Sequence, residues 1–166
     1  MIKYRPSDFS EVAPVWREKL WSAEYDFQST SCMIYPSGYD IDIPKKYSAV
    51  FFVAEDEGKI VGVYSGHLTS PEHFRARGLY VDPDYRGQGI SRQLFNLILA
   101  EAKKQKATLL WTTPRQSSWA TYASFGFTQD SEFTHEGFRY GPNCYASMKV
   151  STDNRLISFL KNYFLL

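Results

Sequence analysis

The chain has 166 residues and a formal net charge of +1 at pH 7. Its length is typical of one domain with a sizeable core, and its 43% of apolar residues excludes a disordered or collagen-like chain. The near balance of charge gives no global field that would attract nucleic acid or a membrane surface. We therefore expect a soluble, single-domain globular protein.

The cysteines and the apolar segments indicate the compartment. Cys32 and Cys144 are too few for a disulfide framework, and the first residues lack the apolar core of a secretion signal. The longest uninterrupted apolar run, around residues 49–54, is far shorter than the roughly 20 residues of a membrane-spanning helix. The sequence therefore predicts a cytoplasmic protein without a membrane partner.

The first part of the chain is predicted to contain one strand and two helices. Residues 1–5 form a short strand, and a helix that Ser7 or Ser10 caps continues to about Trp21, because apolar residues recur there at helical spacing. A second helix is predicted over residues 23–33.

A β-rich segment follows a loop over residues 35–46, which contains prolines and a glycine. Strands are predicted over 48–54 and 60–68, and the short acidic turn between them makes a hairpin. A third strand over 74–81 ends before Pro83, since proline cannot continue a central ladder.

The middle of the chain is predicted to form a strand–turn–helix–strand unit. Apolar residues recur at helical spacing from residue 89 to about residue 104, and a buried strand over 108–112 follows. A strand that returns after such a helix runs parallel to the first strand.

The last part is predicted to contain a short helix over 117–124, which ends near Gly126, a residue suited to the left-handed conformation. Two strands, over 127–133 and 144–150, complete the sheet. The remaining residues, 151–166, are predicted to form an amphipathic helix that docks on the same domain.

Small residues lie at the start of the helix over 89–104. Gly87 and Gly89 would let an anion approach the free backbone N–H groups and the positive end of the helix dipole. A Rossmann fingerprint would need a third glycine where Arg92 stands, and the Gly-Lys-Ser/Thr of a P-loop is absent. The turn therefore favours an anion but matches neither of these two nucleotide-binding motifs.

This turn resembles motif A of the GNAT N-acetyltransferase superfamily, commonly written Arg/Gln-x-x-Gly-x-Gly/Ala. Arg86, Gly89 and Ser91 occupy its defined positions, and Ser91 departs from the usual glycine or alanine. The resemblance implies an α/β fold with a mixed, mainly antiparallel sheet of about seven strands and flanking helices. It assigns residues 1–150 to a single GNAT-type acetyltransferase domain.

A second segment is similar to motif B of the same superfamily, usually Ala-x-x-x-Tyr-x-x-x-Gly-Phe. Ser118, Tyr122, Gly126 and Phe127 match it, with serine in place of the alanine. In relatives, the tyrosine at the position of Tyr122 often protonates the departing CoA thiolate. A phenol suits that task because it is neutral at pH 7 and donates a hydrogen bond. The alternative for Tyr122 is a packed helix aromatic.

The resemblance further implies acetyl-CoA as the co-substrate, and no metal. Backbone N–H groups over residues 87–91, with Arg86, would hold the pyrophosphate, and strand residues 79–81 would pair with the pantetheine arm. Arg115 stands where many relatives carry a cofactor-contacting asparagine, and its guanidinium could meet a phosphate. The residues assigned to the cofactor are Leu79, Tyr80, Val81, Arg86, Gly87, Gln88, Gly89, Ile90, Ser91 and Arg115.

Attack on a thioester needs a neutral amine, so the amine must lose a proton to a base or to water. His67 and Glu55 are candidate catalytic bases near strand ends, and Glu72 and His73 are further candidates. The alternative for each of them is a residue with no role in catalysis, and deprotonation through water needs none of them.

In relatives the acceptor pocket is built mainly from the first two helices and their loop. Here that segment combines acids with aromatic rings, which suits a cationic amine through charge and cation–π contact. A solvated acidic loop is the alternative. The residues concerned are Trp21, Glu24, Tyr25, Asp26, Phe27, Tyr35, Tyr39, Asp40 and Asp42.

The sequence thus predicts an N-acetyltransferase that moves an acetyl group from acetyl-CoA to a primary amine by direct attack in a ternary complex. The expected acceptor is a small cationic amine, or a lysine or N-terminal amine of a peptide, and no nucleic acid is expected as a partner. The sequence does not decide whether the protein forms a homodimer. The alternative is a non-catalytic acyl-CoA sensor or docking module, which Ser91, Arg115 and the lack of a clear base favour.

Overall fold

A computed structural model describes residues 1–21, 46–138 and 140–151 of the chain. The predicted helix over 23–33, nearly all of the loop after it and the predicted helix at the end of the chain lie outside these residues. The described residues form a single α/β unit around one sheet.

The sheet has seven strands in the spatial order β1-β2-β3-β4-β5-β7-β6. Five of the six neighbouring pairs are antiparallel and β4 pairs with β5 in parallel, which confirms the predicted mixed sheet. The strands are β1 Lys3–Ser7, β2 Val50–Asp56, β3 Lys59–Leu68, β4 His73–Val81, β5 Leu109–Thr112, β6 Thr128–Gln129 and β7 Ala146–Lys149.

Helices cover both faces of the sheet. One face packs against α2 and α3 around a large apolar cluster, and the opposite face packs against α1 around a smaller cluster that contains Trp16. The helices are α1 Phe9–Val15, which continues as a π-helical segment over Trp16–Leu20, then α2 Ile90–Lys104 and α3 Trp119–Phe125.

The cap of α1 differs from the prediction. Asp8, not Ser7 or Ser10, is the N-cap, and its carboxylate accepts the backbone N–H groups of Ser10 and Glu11 at 2.8 and 3.3 Å. The Ser10 hydroxyl donates to the same carboxylate. A carboxylate is as good a cap as a hydroxyl and adds a favourable charge at the positive end of the helix.

The last two strands are shorter than predicted. β6 ends at Gln129 and β7 begins at Ala146, so the described residues 130–138 and 140–145 lie outside both strands. Its backbone groups bond locally instead: the Tyr145 N–H donates to the Ser131 hydroxyl oxygen, and Thr134 bridges to Asn143. Aromatic side chains of this loop lie near the point where β4 and β5 separate.

The register between β3 and β4 is interrupted by a bulge at Gly78. Val63 pairs with Tyr80 but Ser65 pairs with Arg77, so β4 has one residue more than β3 in this interval. Gly78 has a φ of +74°, and its carbonyl oxygen accepts the indole N–H of Trp16 at 2.8 Å. Bulges re-aim the backbone at functional sites.

Trp16 fills the space that a side chain at position 78 would need. A Cβ atom added to Gly78 would lie 2.5 Å from the Trp16 ring, and Trp16 is fully buried. The bulge and the α1 side of the sheet are therefore packed as one unit.

We predict that Gly78→Ala destabilises the fold, because the new methyl group collides with a ring that has no room to move. The matched control is Gly58→Ala, which has a similar φ of +84° but open space around its Cβ position. In urea unfolding, Gly78→Ala should lose about 1–3 kcal/mol more than Gly58→Ala. Equal losses would show that the bulge tolerates a side chain.

Candidate active site

A cleft opens where β4 and β5 separate. Their parallel pairing ends at Arg75 and Trp111, after which β4 runs on to Val81 while β5 ends at Thr112. The resulting cleft has a volume of about 930 Å³ and reaches from the start of α2 to the loop before β7. The unpaired stretch of β4 offers backbone groups to an extended ligand, as a sheet edge does.

The glycine-rich turn forms one end of the cleft. Gly87 and Gly89 have φ values of +77° and +79°, and a Cβ atom at either position would meet no atom of the described residues within 4 Å. Gly89 is the N-cap of α2, so the unpaired N–H groups of the first turn of the helix lie beside this open space. The Arg86 Nε–H donates to the Val81 carbonyl oxygen at 3.1 Å and connects the turn to the end of β4.

Most residues assigned to the cofactor by sequence lie together here. Nine of the ten line the cleft, and Gln88 does not. The cleft combines a helix N-terminus, glycines that let a ligand come close to the backbone, and an apolar wall. Together these features suit a ligand with phosphates and a long flexible arm. The nine are Leu79, Tyr80, Val81, Arg86, Gly87, Gly89, Ile90, Ser91 and Arg115.

Tyr122 reaches the cleft from α3. Its side chain is 7% exposed and lies among the apolar residues between the sheet and the helices, and Gly126 ends the helix with the expected positive φ of 102°. Burial raises the pKa of Tyr122, and the nearby hydroxyl groups of Tyr64 and Thr112 oppose that rise. Tyr122 is therefore a neutral phenol at physiological pH, in the state a proton donor requires.

Arg115 bridges two segments at the cleft wall. Its guanidinium donates to the Leu20 carbonyl oxygen at 2.7 Å and lies 5.6 Å from the centre of the Tyr140 ring. One guanidinium thus joins the end of the α1 segment to the loop before β7. A ligand phosphate that contacts Arg115 would therefore compete with Leu20 and Tyr140 for the same guanidinium.

The two candidate bases do not reach the cleft. Glu55 lies on β2, two strands from β4, and accepts hydrogen bonds from the Arg5 guanidinium at 2.9 and 3.0 Å. His67 lies opposite Arg75 on β3, is 1% exposed, and has its Nδ1 3.0 Å from the Leu68 carbonyl oxygen. Neither is a lining residue, so the structure does not support either as the base.

Glu72 and His73 are also separated from the cleft. Both are exposed at the start of β4, whereas the cleft lies along the later part of that strand. Among the described lining residues there is no carboxylate and no imidazole. The described part of the cleft wall therefore provides no carboxylate or imidazole that could act as the base.

Sequence reasoning missed the cations on the other side of the cleft. Arg75 is 5% exposed, lies 4.9 Å from the centre of the Trp111 ring and donates to the Thr113 hydroxyl oxygen at 3.4 Å. Arg77 lies 4.6 Å from the centre of the Trp21 ring. Their spacing of two in a predicted strand was the available signal, because it places both side chains on one face of the sheet.

The described lining is strongly cationic. It contains five basic side chains and no acidic one, in contrast to the acidic acceptor pocket that the sequence predicts. The acids of that prediction lie outside the described residues, so it stays a prediction. The five are Lys19, Arg75, Arg77, Arg86 and Arg115.

Two kinds of feature are absent from residues 1–21, 46–138 and 140–151. In that part of the chain, no helix is long and apolar enough to cross a membrane. The same residues hold no group of three or more His, Cys, Asp or Glu side chains that could bind a metal ion. The only cysteine described, Cys144, is buried in the core beneath β7, where burial raises its pKa.

Comparison with known proteins identifies the class to which this fold and cleft belong. Residues 47–129 match the model of the acetyltransferase (GNAT) domain, a span that includes the bulge, the glycine-rich turn and Tyr122. The chain belongs to the GNAT acetyltransferase family.

Individual relatives agree with this assignment. The chain is 29% identical over 126 residues to N-acetyltransferase 8B of Mus musculus, covering 68% of this chain and 54% of that protein, so the match spans about half the length of the relative. The ribosomal-protein-S18-alanine N-acetyltransferase of Escherichia coli shares the fold with a TM-score of 0.64 at 17% identity, over 93% of this chain and 97% of that one. The yncA protein of Salmonella typhimurium, solved with its cofactor acetyl-CoA, has a TM-score of 0.61 at 15% identity, over 91% and 95%.

We predict that Gly89→Val weakens acetyl-CoA binding by about tenfold or more and leaves the fold intact, because the new side chain occupies the open space at the start of α2. Isothermal titration with acetyl-CoA measures this. The control is Gly58→Val, which carries the same left-handed strain at the β2–β3 turn, away from the cleft. Equal affinity of the Gly89→Val protein and the control would refute the phosphate site.

Proposed function

We propose that this protein transfers an acetyl group from acetyl-CoA to a primary amine by direct attack in a ternary complex. The observation that carries the proposal is a single cleft with an open anion site at the start of α2, an unpaired strand edge on β4, and Tyr122 on the wall. Acetyl-CoA has the parts that match them: phosphates, a flexible arm with amides, and a thioester that yields a thiolate.

The residues present fit this co-substrate. The backbone N–H groups at the start of α2 and the side chain of Arg86 bind phosphate oxygens, and the glycines keep side chains out of that space. The backbone of residues 79–81 offers hydrogen bonds to the pantetheine amides, while Leu79, Val81 and Ile90 supply an apolar wall. These contacts hold the thioester beside Tyr122 and contribute by orientation.

The chemical step requires one bond to form and one to break. The amine nitrogen attacks the carbonyl carbon, the C–S bond breaks, and Tyr122 donates its phenolic proton to the sulfur. The amine loses its own proton to water, since the described lining holds no carboxylate or imidazole to accept it. Backbone donors near the β4 bulge are placed to polarise the carbonyl oxygen.

We consider two classes of acceptor amine, which differ in charge. The acidic and aromatic residues between the first helix and β2 favour a cationic amine, as the sequence predicts. The cationic lining of the described cleft favours an amine that also carries a carboxylate or another anionic group. Both acceptor classes present the same attacking group, and a panel of amines decides between them.

The competing function is a non-catalytic acyl-CoA sensor. Its support is Ser91 in the glycine-rich turn and Arg115, whose guanidinium is engaged by Leu20 and Tyr140. A sensor would bind acetyl-CoA with the same residues and release no thiol.

Thiol release from acetyl-CoA tests the proposal. The assay uses polyamines, aminoglycosides, amino acids, acidic dipeptides and lysine peptides, beside a binding titration of acetyl-CoA without amine. Release that depends on one amine class establishes the transferase and the charge of its acceptor. Binding without release from any amine supports the sensor, and no binding refutes both functions.

We predict that Tyr122→Phe lowers kcat by about 100-fold or more, because the departing thiolate loses its proton donor. The dissociation constant for acetyl-CoA should stay within about twofold of the wild-type value, since the phenyl ring retains the packing. Tyr4→Phe, the same change on the edge strand β1, is the control. Unchanged turnover of the Tyr122→Phe protein would reduce Tyr122 to a packing residue.

A further inference from the structure

The first half of β4 presents different side chains to the two faces of the sheet, because side chains alternate along a strand. Phe74 and Ala76 lie in the apolar cluster that packs against α2 and α3. Arg75 and Arg77 alternate with them and therefore lie on the face covered by α1. Both arginines line the cleft, so the α1 side of its wall is cationic.

The residues assigned to acetyl-CoA lie on the opposite side of the cleft. Tyr122 and Ile90 belong to the cluster beneath α2 and α3. Leu79 and Val81 pack against that cluster, and the open anion site is at the start of α2 itself. In the proposed function the co-substrate therefore uses the α2 side, and the α1 side is left for the acceptor.

An aromatic ring accompanies each of the two arginines. The Arg75 guanidinium lies 4.9 Å from the centre of the Trp111 ring. The Arg77 guanidinium lies 4.6 Å from the centre of the Trp21 ring. The N–H groups of a guanidinium point outward in its own plane, so one arginine can contact a ring and donate to a carboxylate at the same time. Because the rings restrict both side chains, less entropy is lost when an anion binds.

Arg77 is the arginine nearer to the reacting groups. It directly precedes the bulge residue Gly78, whereas Arg75 lies two residues earlier, about 7 Å further from the bulge along the strand. The proposed function places the thioester carbonyl near this bulge. A carboxylate bound by Arg77 therefore lies close to the attacking amine, as in an α-amino acid, where a single carbon separates the two groups.

We propose that Arg77 determines specificity by binding the carboxylate of the acceptor, and that the acceptor is a free α-amino acid. Arg75 adds a second positive charge beside the same site, and the two charges together disfavour a polyamine. The proposal rests on the proposed function, in which the cleft also receives the amine. Arg77 acts on binding alone, because attack on the carbonyl and protonation of the sulfur take place at other atoms.

Matched amines test the proposal in the thiol-release assay. The common amino acids are assayed beside spermidine, and the best amino acid is then compared with its α-amide and its decarboxylated amine. We expect kcat/KM for the amino acid to exceed that of either analogue by about tenfold or more, since a charged hydrogen bond is lost with the carboxylate.

Variants of Arg77 show whether this residue causes the preference. Arg77→Gln should raise KM for the amino acid by about tenfold and leave kcat, acetyl-CoA affinity and KM for the decarboxylated amine within about twofold. Arg77→Lys keeps the charge without the bidentate geometry and should give an intermediate KM. Arg77→Glu should make the decarboxylated amine the better substrate. Lys104→Gln, the control, removes one positive charge from an exposed side chain at the far end of α2 and should change none of these values.

A binding measurement does not depend on turnover. In isothermal titration of the amino acids into protein saturated with CoA, we expect binding that Arg77→Gln weakens by about tenfold. Three results would overturn the carboxylate site: equal kcat/KM for the amino acid and its amide, an equal rise of KM for the amino acid and the decarboxylated amine in Arg77→Gln, or a higher kcat/KM for spermidine than for any amino acid.

The failure of this site and the failure of the proposed function give different results. Thiol release without preference for a carboxylate refutes the site and retains the transferase. Binding of an amino acid that depends on Arg77, without thiol release from any amine, retains the site and refutes the transfer. Neither binding of an amino acid nor thiol release would refute both.

Discussion

The contact between Trp16 and Gly78 is the one on which the site depends. The indole N–H satisfies the carbonyl of the bulge residue, and the ring fills the space that the missing side chain leaves. The bulge shifts β4 against β3 just beyond the point where β4 parts from β5. Because Trp16 is fully buried in the cluster beneath α1, the helix holds the sheet in the conformation that opens the cleft. Because the core is close-packed, a displacement of Trp16 would displace the bulge as well.

The two faces of the sheet contribute different chemistry to the same cleft. On the α1 face, the guanidinium of Arg75 lies over the ring of Trp111. The guanidinium of Arg77 lies over the ring of Trp21, so cation–π contacts stabilise both positive charges. On the face covered by α2 and α3, the phenol of Tyr122 is buried within an apolar cluster. The separated strands β4 and β5 are the place where a ligand can meet both environments. One cleft is therefore lined both by the cationic side chains of Arg75 and Arg77 and by the buried phenol of Tyr122.

The walls of the cleft come from parts of the chain that are far apart in sequence. Arg115 joins the carbonyl of Leu20 to the ring of Tyr140, and the Asn143 side-chain amide donates to the Thr113 carbonyl oxygen at 2.7 Å. These links fix the loop before β7 over the end of β5. Loops held by several side-chain contacts give a binding site a defined shape while the scaffold stays simple.

Sequence patterns by themselves determined the features that depend on chain neighbours. The α2 helix, the left-handed Gly89 at its start and the parallel return to β5 follow from local spacing, and the two motifs identify the family. Only the tertiary structure decided which distant residues meet. Glu55 and His67 have side chains that can act as a base. The strand order, however, places Glu55 two strands away from β4, and His67 is buried within the sheet. Arg75 and Arg77 could be assigned to a strand but not to a face or a partner. Strand order and register bring residues far apart in the chain together, and neither is encoded in the pattern of any single segment.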